Sequence, residues 1–360
     1  MPDLFKNMLG GSESLFKDVL VLDVDYIPPI IEGREDEQQW IASCIKPLFN
    51  SRPGKNAFVT GVPGIGKTLA TKYLLQELER ENSEIYPIYV NCWKNDTAHK
   101  IVLEVCSQLG YTFTHNRTTN ELMKEIVKII NKKSAVIVLD EVDKIEDENI
   151  VYHILEDVYM KALILISNDS DFLTELDSRI KSRLNADVIN FEKYNFDETY
   201  NIMKKRVEHA FVANVFEKDA FEVAAEKAYS LGDVRAGLFL LKEAGEIAES
   251  RASRKITLGD ANKAVEKLKE FKIRSSLSFN ETDQKILDII KANSGKSATD
   301  LFEIFQKEGG DKTYRTFWRK IESLKKSRAI TVQEVYKGPG RTTLVHYGSL
   351  KKITDYGRED

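Results

Sequence analysis

Short apolar runs alternate with longer amphipathic stretches through the first half of the chain. Five runs rich in Val, Ile and Leu are predicted strands, at 57–60, 85–90, 136–139, 163–166 and 188–191. Continuous apolar strands separated by helices are typical of a parallel sheet that is buried on both faces. Because crossovers between parallel strands are nearly always right-handed, helices are expected on both faces. The pattern therefore predicts an α/β core.

Beyond Tyr194 the strand pattern stops and apolar residues recur at helical spacing. Helices are predicted at 197–211, 218–230, 233–250 and 258–273, and together they indicate an all-helical lid. A polar stretch at 272–280 is a predicted linker. Three short helices follow, at 282–291, 297–307 and 311–326, and then two strands, at 330–336 and 342–347. This order is that of a winged helix, so the expected domains are 1–195, 196–276 and 277–360.

Composition supports a folded chain of more than one domain. The chain has 360 residues, of which 42% are hydrophobic and 31% charged, enough for two or three domains. Its apolar runs fall far short of the roughly 20 residues of a membrane span. No secretory signal is recognisable, so a cytoplasmic protein without a membrane partner is expected. Cys44, Cys92 and Cys106 are widely spaced and are expected to be buried thiols.

The segment after the first predicted strand matches the pattern GxxxxGK[ST]. It runs from Gly61 to Thr68 and leads into a predicted helix at 69–79. Its glycines allow successive N–H groups to turn towards phosphate oxygens, and the positive end of the helix adds to them. Lys67 is expected to reach the terminal phosphates, and Thr68 to bind Mg²⁺. The predicted nucleotide contacts in this segment are Val62, Pro63, Gly64, Ile65, Gly66, Lys67, Thr68 and Leu69.

Polar side chains end two of the later predicted strands. Asp140 and Glu141 follow the strand at 136–139, at the carboxyl end where a parallel sheet binds its ligands. Asp140 is expected to hold Mg²⁺, and Glu141 to polarise the attacking water. Asn168 ends the next strand, and its amide can orient the same water.

Three arginines are candidates for stabilising the charge of phosphoryl transfer. Arg179 and Arg183 lie four residues apart on one face of a predicted helix. Either can serve an adjacent subunit, or can belong to a solvated basic face. Arg235 opens a lid helix that Asp233 is predicted to cap, and it can contact the γ-phosphate from the lid.

These residues resemble the AAA+ ATPases, and within them the archaeal origin-recognition replication initiators. Beyond the ATPase motifs, the resemblance rests on Gly33-Arg34-Glu35-Asp36-Glu37, Tyr89-Val90-Asn91-Cys92, Leu139-Asp140-Glu141-Val142-Asp143 and Gly232-Asp233-Val234-Arg235. It covers nearly the whole chain. It implies a Walker A motif at Gly61 to Thr68, Walker B at Asp140 and Glu141, sensor one at Asn168, sensor two at Arg235 and an arginine finger at Arg179. Arg183 stays the alternative finger, because this chain has Ser182-Arg183 where the family often has two serines.

The resemblance also implies ligands and partners. Tyr26, Ile27 and Arg34, joined by Tyr194, would wall an adenine pocket, and residues 93–105 would form the inserted helix that contacts DNA. The cofactors would be ATP or ADP with Mg²⁺, and hydrolysis would be slow, as in a switch. The implied partners are double-stranded origin DNA, the MCM helicase and other initiator paralogues, which would place the protein at the nucleoid.

The C-terminal unit has a charge of its own. Residues 277–360 hold 16 basic and 12 acidic residues, a net charge of +4, whereas the first 276 residues carry a net charge of −8. On its third predicted helix, Phe317, Ile321 and Leu324 form an inward stripe. Basic residues occupy the other side of that helix and flank the loop between the two strands: Lys312, Arg315, Arg319, Lys337 and Arg341. This arrangement predicts DNA binding, although winged helices also serve as protein-docking modules.

The sequence thus favours an ATP-controlled replication initiator. Two alternatives remain open. One is a DNA-binding regulator that contains nucleotide, and the other is an AAA+ ATPase of a mobile element, neither of which would load a helicase.

Overall fold

The computed structural model describes residues 14–276, 281–310, 313–326, 330–337 and 340–347. The chain divides into two compact units, Met1–Val265 and Glu266–Asp360. This division falls before the predicted boundary at residue 276. The predicted boundary between core and lid, at residue 195, lies within the first unit and stays a prediction.

A five-stranded parallel sheet forms the centre of the first unit. Its strands are β1 (Ala57–Thr60), β2 (Ile85–Asn91), β3 (Ser134–Asp140), β4 (Lys161–Ser167) and β5 (Asp187–Asn190). Their order across the sheet is β2-β3-β4-β1-β5, and every pairing is parallel. In β3 and in β4, every residue except the first is buried, which explains why both strands are nearly continuous apolar runs in the sequence. The α/β prediction is confirmed.

Helices cover both faces of this sheet. They are α1 (Glu35–Ile45), α2 (Lys67–Glu81), α3 (Ala98–Gln108), α4 (Thr119–Ile130), α5 (Asn149–Asp157), α6 (Phe172–Glu175) and α7 (Ser178–Leu184). Alternate residues of β3 enter different hydrophobic clusters: Ile137 packs with α3 and α4, and Val138 with α1 and α2. Cys44, Cys92 and Cys106 are free and buried, as predicted.

Four helices form the lid, as the sequence predicts. They are α8 (Phe196–Ala210), α9 (Lys218–Leu231), α10 (Val234–Ser250) and α11 (Leu258–Ser276). Asn195 and Glu198 form a capping box that fixes where α8 begins. A short 3-10 helix, Val19–Leu22, packs on α8, where Arg206 donates to the carbonyl oxygen of Val21 at 2.9 Å. Helix α11 continues three residues beyond its predicted end, into the predicted linker.

The second unit has its own small core. After the end of α11 it contains α12 (Glu281–Ala292), α13 (Ala298–Lys307), α14 (Tyr314–Lys326), β6 (Ile330–Lys337) and β7 (Gly340–Tyr347). The two strands pair antiparallel, so the elements follow the predicted winged-helix order. Phe317, Ile321 and Leu324 are buried, which confirms the inward stripe. Ser297 caps α13 by accepting a hydrogen bond from the N–H of Asp300 at 3.1 Å.

Among the helices in the described ranges, none is long and apolar enough to cross a membrane.

Candidate nucleotide-binding site

The loop between β1 and α2 depends on its glycines. Gly61, Gly64 and Gly66 have positive φ angles of 146°, 83° and 91°. A Cβ atom at Gly64 would lie 2.3 Å from Oδ1 of Asp233, and one at Gly66 would lie 2.8 Å from the hydroxyl of Tyr194. At Gly64 and Gly66, both the positive φ angle and the close approach of other side chains therefore make any residue larger than glycine unfavourable.

Lys67 is the first residue of α2, and its side chain is buried inside the loop. Its Nζ donates to the carbonyl oxygens of Gly61 and Val62, at 2.6 and 2.9 Å, and to Oδ1 of Asn168, at 2.8 Å. Burial lowers the pKa of Lys67, the carboxylate of Asp140 opposes that effect, and the positive charge of Arg235 adds to it, so that the pKa falls to about 8. Lys67 and Asn168, which are predicted from separate motifs, are thus joined by a direct hydrogen bond.

Asp140 ends β3 with its carboxylate fixed by three donors. Its Oδ2 accepts from the hydroxyls of Thr68 and Tyr89, both at 2.7 Å, and its Oδ1 accepts from the N–H of Glu141 at 2.9 Å. The side chain is 2% exposed. The structure therefore joins the two residues predicted to bind Mg²⁺. Hydroxyl and carboxylate oxygens are ligands that Mg²⁺ prefers, so these residues fit the ion.

Two further carboxylates lie beyond Asp140. Glu141 adopts a left-handed conformation, with φ of 54°, and burial raises its pKa, as do the charges of Asp140 and Asp143. Burial alone would raise the pKa of Asp143, but hydrogen bonds from Lys144 and Ser167 outweigh it and lower that pKa. Of these two carboxylates, Glu141 is the one with the increased proton affinity, which suits a general base.

The lid contributes Arg235, in the first turn of α10. Its guanidinium binds both carboxylate oxygens of Asp233, at 3.1 and 3.0 Å, and its side chain is 48% exposed. Asp233 also accepts from the N–H of Arg235 at 3.0 Å, which confirms the predicted cap. The N–H of Val234 donates to the carbonyl oxygen of Gly64 at 3.4 Å. The start of α10 therefore touches the glycine loop directly.

Lys67, Asp140 and Arg235 all border one cavity of about 640 Å³ between the core and the lid. The predicted residues among its lining are Tyr26, Pro63, Gly64, Gly66, Lys67, Thr68, Leu69, Asp140, Glu141, Asn168, Tyr194 and Arg235. Four other predicted contacts, Ile27, Arg34, Val62 and Ile65, are not part of that lining.

Arg34 lies behind the glycine loop. Its Nε donates to the carbonyl oxygen of Ile65 at 3.1 Å, and its guanidinium sits 3.8 Å from the ring centroid of Tyr194. The side chain is 4% exposed. In this position it braces the loop against the residues that follow β5, and it does so by polar and cation–π contacts.

The two candidate finger arginines, both on α7, have different surroundings. Arg179 is 76% exposed and pairs with Asp177, whose carboxylate is 3.1 Å from its Nε. Arg183 pairs with Glu156, and its guanidinium lies 5.2 Å from the ring centroid of Tyr152. Neither lines the cavity.

Of the predicted DNA contacts, Arg319 is described fully and is exposed on α14. Lys312 lies outside the described residues, as do the side chains of Arg315, Lys337 and Arg341. The predicted DNA-contacting segment, 93–105, corresponds to a turn that exposes Trp93 and to most of α3.

Tyr89 is a residue of the nucleotide-binding site that the sequence motifs do not predict. Its hydroxyl contacts Asp140 although the two residues lie 51 positions apart. The sequence signal for Tyr89 is its place in the family-like stretch Tyr89-Val90-Asn91-Cys92, which lies at the carboxyl end of a strand next to β3.

Two family models match the chain. The model described as an AAA domain matches residues 51–180, and the Cdc6 AAA+ ATPase-type lid domain matches residues 200–266. These matches fall on the α/β core and on the four-helix lid.

Curated relatives match nearly the full length. ORC1-type DNA replication protein 2 of Archaeoglobus fulgidus is 32% identical over 95% of this chain and 93% of its own length. ORC1-type DNA replication protein 1 of Sulfolobus acidocaldarius is 30% identical over 98% of this chain and 94% of its own.

Solved structures share the fold. The Aeropyrum pernix ORC1 protein, solved in complex with DNA, aligns with a TM-score of 0.80 at 24% identity, over 94% of this chain and 95% of that one. The ORC2 protein of the same organism, solved as ADPNP–ADP complexes, aligns with a TM-score of 0.66 at 19% identity, over 93% and 94%. Together with the motifs and the two family models, the full-length relatives show that this chain belongs to the ORC1-type DNA replication proteins, a family with an AAA+ core and a Cdc6-type lid.

Proposed function

We propose that the chain is an ATP-controlled replication initiator that binds duplex origin DNA and helps to recruit or load the MCM helicase. The observation that carries the proposal is the convergence of Lys67, Thr68, Asp140 and Asn168 from the core, and of Arg235 from the lid, on one cavity. The family supports it, and so do the related structures, in which Aeropyrum pernix ORC2 holds ADPNP and ADP and ORC1 holds DNA.

In this proposal the glycine loop and Lys67 bind the phosphates. The Nζ of Lys67 has three oxygen partners in the loop and at Asn168, and phosphate oxygens would replace some of them. Thr68 and Asp140 would hold Mg²⁺, which would supply positive charge to offset the negative charge of the terminal phosphates. Tyr26 and Tyr194, on the cavity lining, would contact the adenosine. Arg34 and Ile65 would act indirectly, by shaping the loop.

Hydrolysis would use Glu141 as general base. Its raised pKa strengthens it as a proton acceptor, and Asn168 would orient the water. We assign the arginine finger to Arg179 rather than Arg183, because Arg179 is the more exposed of the two and Arg183 is held by Glu156 and Tyr152. A finger that serves another subunit, such as an initiator paralogue, must be accessible.

The nucleotide would act as a switch. Arg235 belongs to the lid, and its helix, α10, contacts the glycine loop of the core. A γ-phosphate that binds Arg235 would therefore favour one position of the lid relative to the core. Such a switch needs only different affinities for the two nucleotide states, so slow hydrolysis is sufficient. The protein would act in the cytoplasm, at the nucleoid, through basic residues of its C-terminal unit and through α3.

Two measurements on the purified full-length chain test the proposal. The first determines bound nucleotide after denaturation, and ADP or ATP is expected. The second is footprinting on origin fragments at several salt concentrations, with the wild-type chain and with Arg319→Ala. The slope of the logarithm of the association constant against the logarithm of salt concentration should be about 1 less steep in Arg319→Ala, as for one lost phosphate contact. Lys325→Ala is the control, because it removes a charge from the same helix about 120° away from Arg319. Protection only at promoters or at transposon ends would contradict the initiator role and favour a regulator or a mobile-element ATPase.

A further inference from the structure

Tyr89 connects the edge of the sheet with the carboxylate at its centre. It lies on β2, the edge strand, opposite Val138 of β3. Its ring packs on the face of the sheet that carries α2, and its hydroxyl reaches Oδ2 of Asp140 at 2.7 Å. The hydroxyl of Thr68 reaches the same oxygen at the same distance. Two hydroxyls from different elements thus fix one carboxylate oxygen.

The direction of the hydrogen bond follows from the two groups. The phenol hydroxyl of Tyr89 has a proton to donate, and both oxygens of a carboxylate are acceptors, so Tyr89 donates to Asp140. A hydrogen bond to an ionised acceptor is stronger and more directional than one between neutral groups, so it restrains the orientation of the carboxylate.

The main chain of Tyr89 is held independently of its ring. Its N–H donates to Oε1 of Gln108 at 2.9 Å, and its carbonyl oxygen accepts from Nε2 of Gln108 at 2.6 Å. Gln108 is the last residue of α3, and its side-chain amide takes the place of a neighbouring strand at this edge. Both ends of Tyr89 are therefore fixed, the backbone by α3 and the hydroxyl by Asp140.

We propose that Tyr89 is a positioning residue for the magnesium-binding carboxylate Asp140, and that Gln108 of α3 holds Tyr89 in place. This inference rests on the nucleotide function proposed above. Residues that orient a metal-binding carboxylate affect metal affinity, typically by 10- to 100-fold when substituted. Loss of the Tyr89 hydroxyl should therefore weaken metal binding. Nucleotide affinity measured in the absence of metal should not depend on that hydroxyl.

The test compares two Tyr→Phe variants of the same strand. Tyr89→Phe removes the hydroxyl at Asp140. Tyr86→Phe makes the same change on the opposite face of β2, where the ring lies 5.6 Å from Nζ of Lys133. Binding of Mn²⁺ to the full-length chain with ADP is measured by electron paramagnetic resonance, and ADP affinity is measured by calorimetry in excess EDTA.

Tyr89→Phe should raise the Mn²⁺ dissociation constant about 10-fold or more, while ADP affinity in EDTA stays at the wild-type value. Tyr86→Phe should change neither quantity. Gln108→Leu should shift Mn²⁺ binding in the same direction by a smaller factor, because it loosens the backbone of Tyr89 but keeps the hydroxyl.

Three results would overturn the inference. Mn²⁺ binding unchanged in Tyr89→Phe, with a wild-type chain that binds ADP and metal, would reject it and leave the proposed function intact. An equal loss of ADP affinity with and without metal would assign Tyr89 to the nucleotide instead. A wild-type chain to which metal contributes nothing would reject both this inference and the magnesium role of Asp140.

Discussion

The core wall and the lid wall of the nucleotide cavity are built in different ways. On the core wall, Lys67 and Asp140 are 6% and 2% exposed, and each has three hydrogen bonds to other groups. On the lid wall, Arg235 is 48% exposed, and its guanidinium pairs with Asp233, two residues away in the chain.

This difference separates two tasks. The core wall is fixed by buried contacts, so its geometry does not need to change when a ligand binds. An exposed pair such as Arg235–Asp233 contributes only about 0–1 kcal/mol, so Arg235 can exchange its partner for a phosphate at little cost. We therefore expect core residues to determine binding and chemistry, and Arg235 to determine how the protein distinguishes ATP from ADP.

The largest effect is expected at Glu141, where chemistry can be separated from binding. Glu141→Gln should slow hydrolysis about 10²- to 10⁴-fold, because the amide cannot accept the proton from water. Nucleotide affinity should remain, since the substitution preserves the shape of the side chain. Single-turnover hydrolysis and calorimetry measure the two quantities. Glu146→Gln, at an exposed position of the same loop, is the control and should hydrolyse ATP at the wild-type rate.

An intermediate effect is expected on the lid wall. Arg235→Ala should reduce the preference for ATP over ADP by about 5- to 150-fold, the usual range of a coupling free energy, while ADP affinity changes less. Competition between a fluorescent ADP and unlabelled ATP measures the preference. Lys242→Ala removes a cation from the same helix outside the cavity lining and should leave the preference intact. If Arg235→Ala lost ATP affinity and ADP affinity equally, Arg235 would contribute to nucleotide binding as the core residues do, and would not distinguish ATP from ADP.

The smallest effect is expected from pH, through Lys67. The pKa of this group is lowered to about 8, so about half of the free protein has lost the Lys67 proton at pH 8 and most of it has lost that proton at higher pH. Bound phosphates favour the charged form, so the complex keeps a proton that the free protein has lost. Nucleotide affinity should therefore fall as pH rises above 8, by at most about tenfold per pH unit.

Calorimetry between pH 7 and 9.5 tests this dependence. Lys67→Arg, whose guanidinium stays charged throughout that range, is the control and should bind with little pH dependence. A wild-type affinity that is constant over the range would contradict the lowered pKa.

Much of the core wall can be predicted from the sequence because its signals are local. Lys67 and Thr68 adjoin the glycines of one short loop, and Asp140 and Glu141 end a strand whose burial makes it a continuous apolar run. Local patterns of this kind place residues at the carboxyl edge of a parallel sheet without knowledge of the packing.

The remaining contacts depend on packing between distant segments. Tyr89 looks like a core residue of a strand, and only the alignment of β2 with β3 brings its hydroxyl to Asp140. The pattern around Arg34 predicts a place near the adenine, and only the packing shows that its guanidinium lies behind the loop, against Ile65 and Tyr194. The end of α11 was predicted too early because serines can either continue a helix or begin a linker.

The nucleotide switch is tested most directly by the affinity of the wild-type chain for origin duplex. Fluorescence anisotropy measures this affinity at one salt concentration, with ADP and with a non-hydrolysable ATP analogue. We expect the two dissociation constants to differ by about fivefold or more, as for coupled sites, and Arg235→Ala to remove the difference. Equal affinities in the two nucleotide states would contradict the switch.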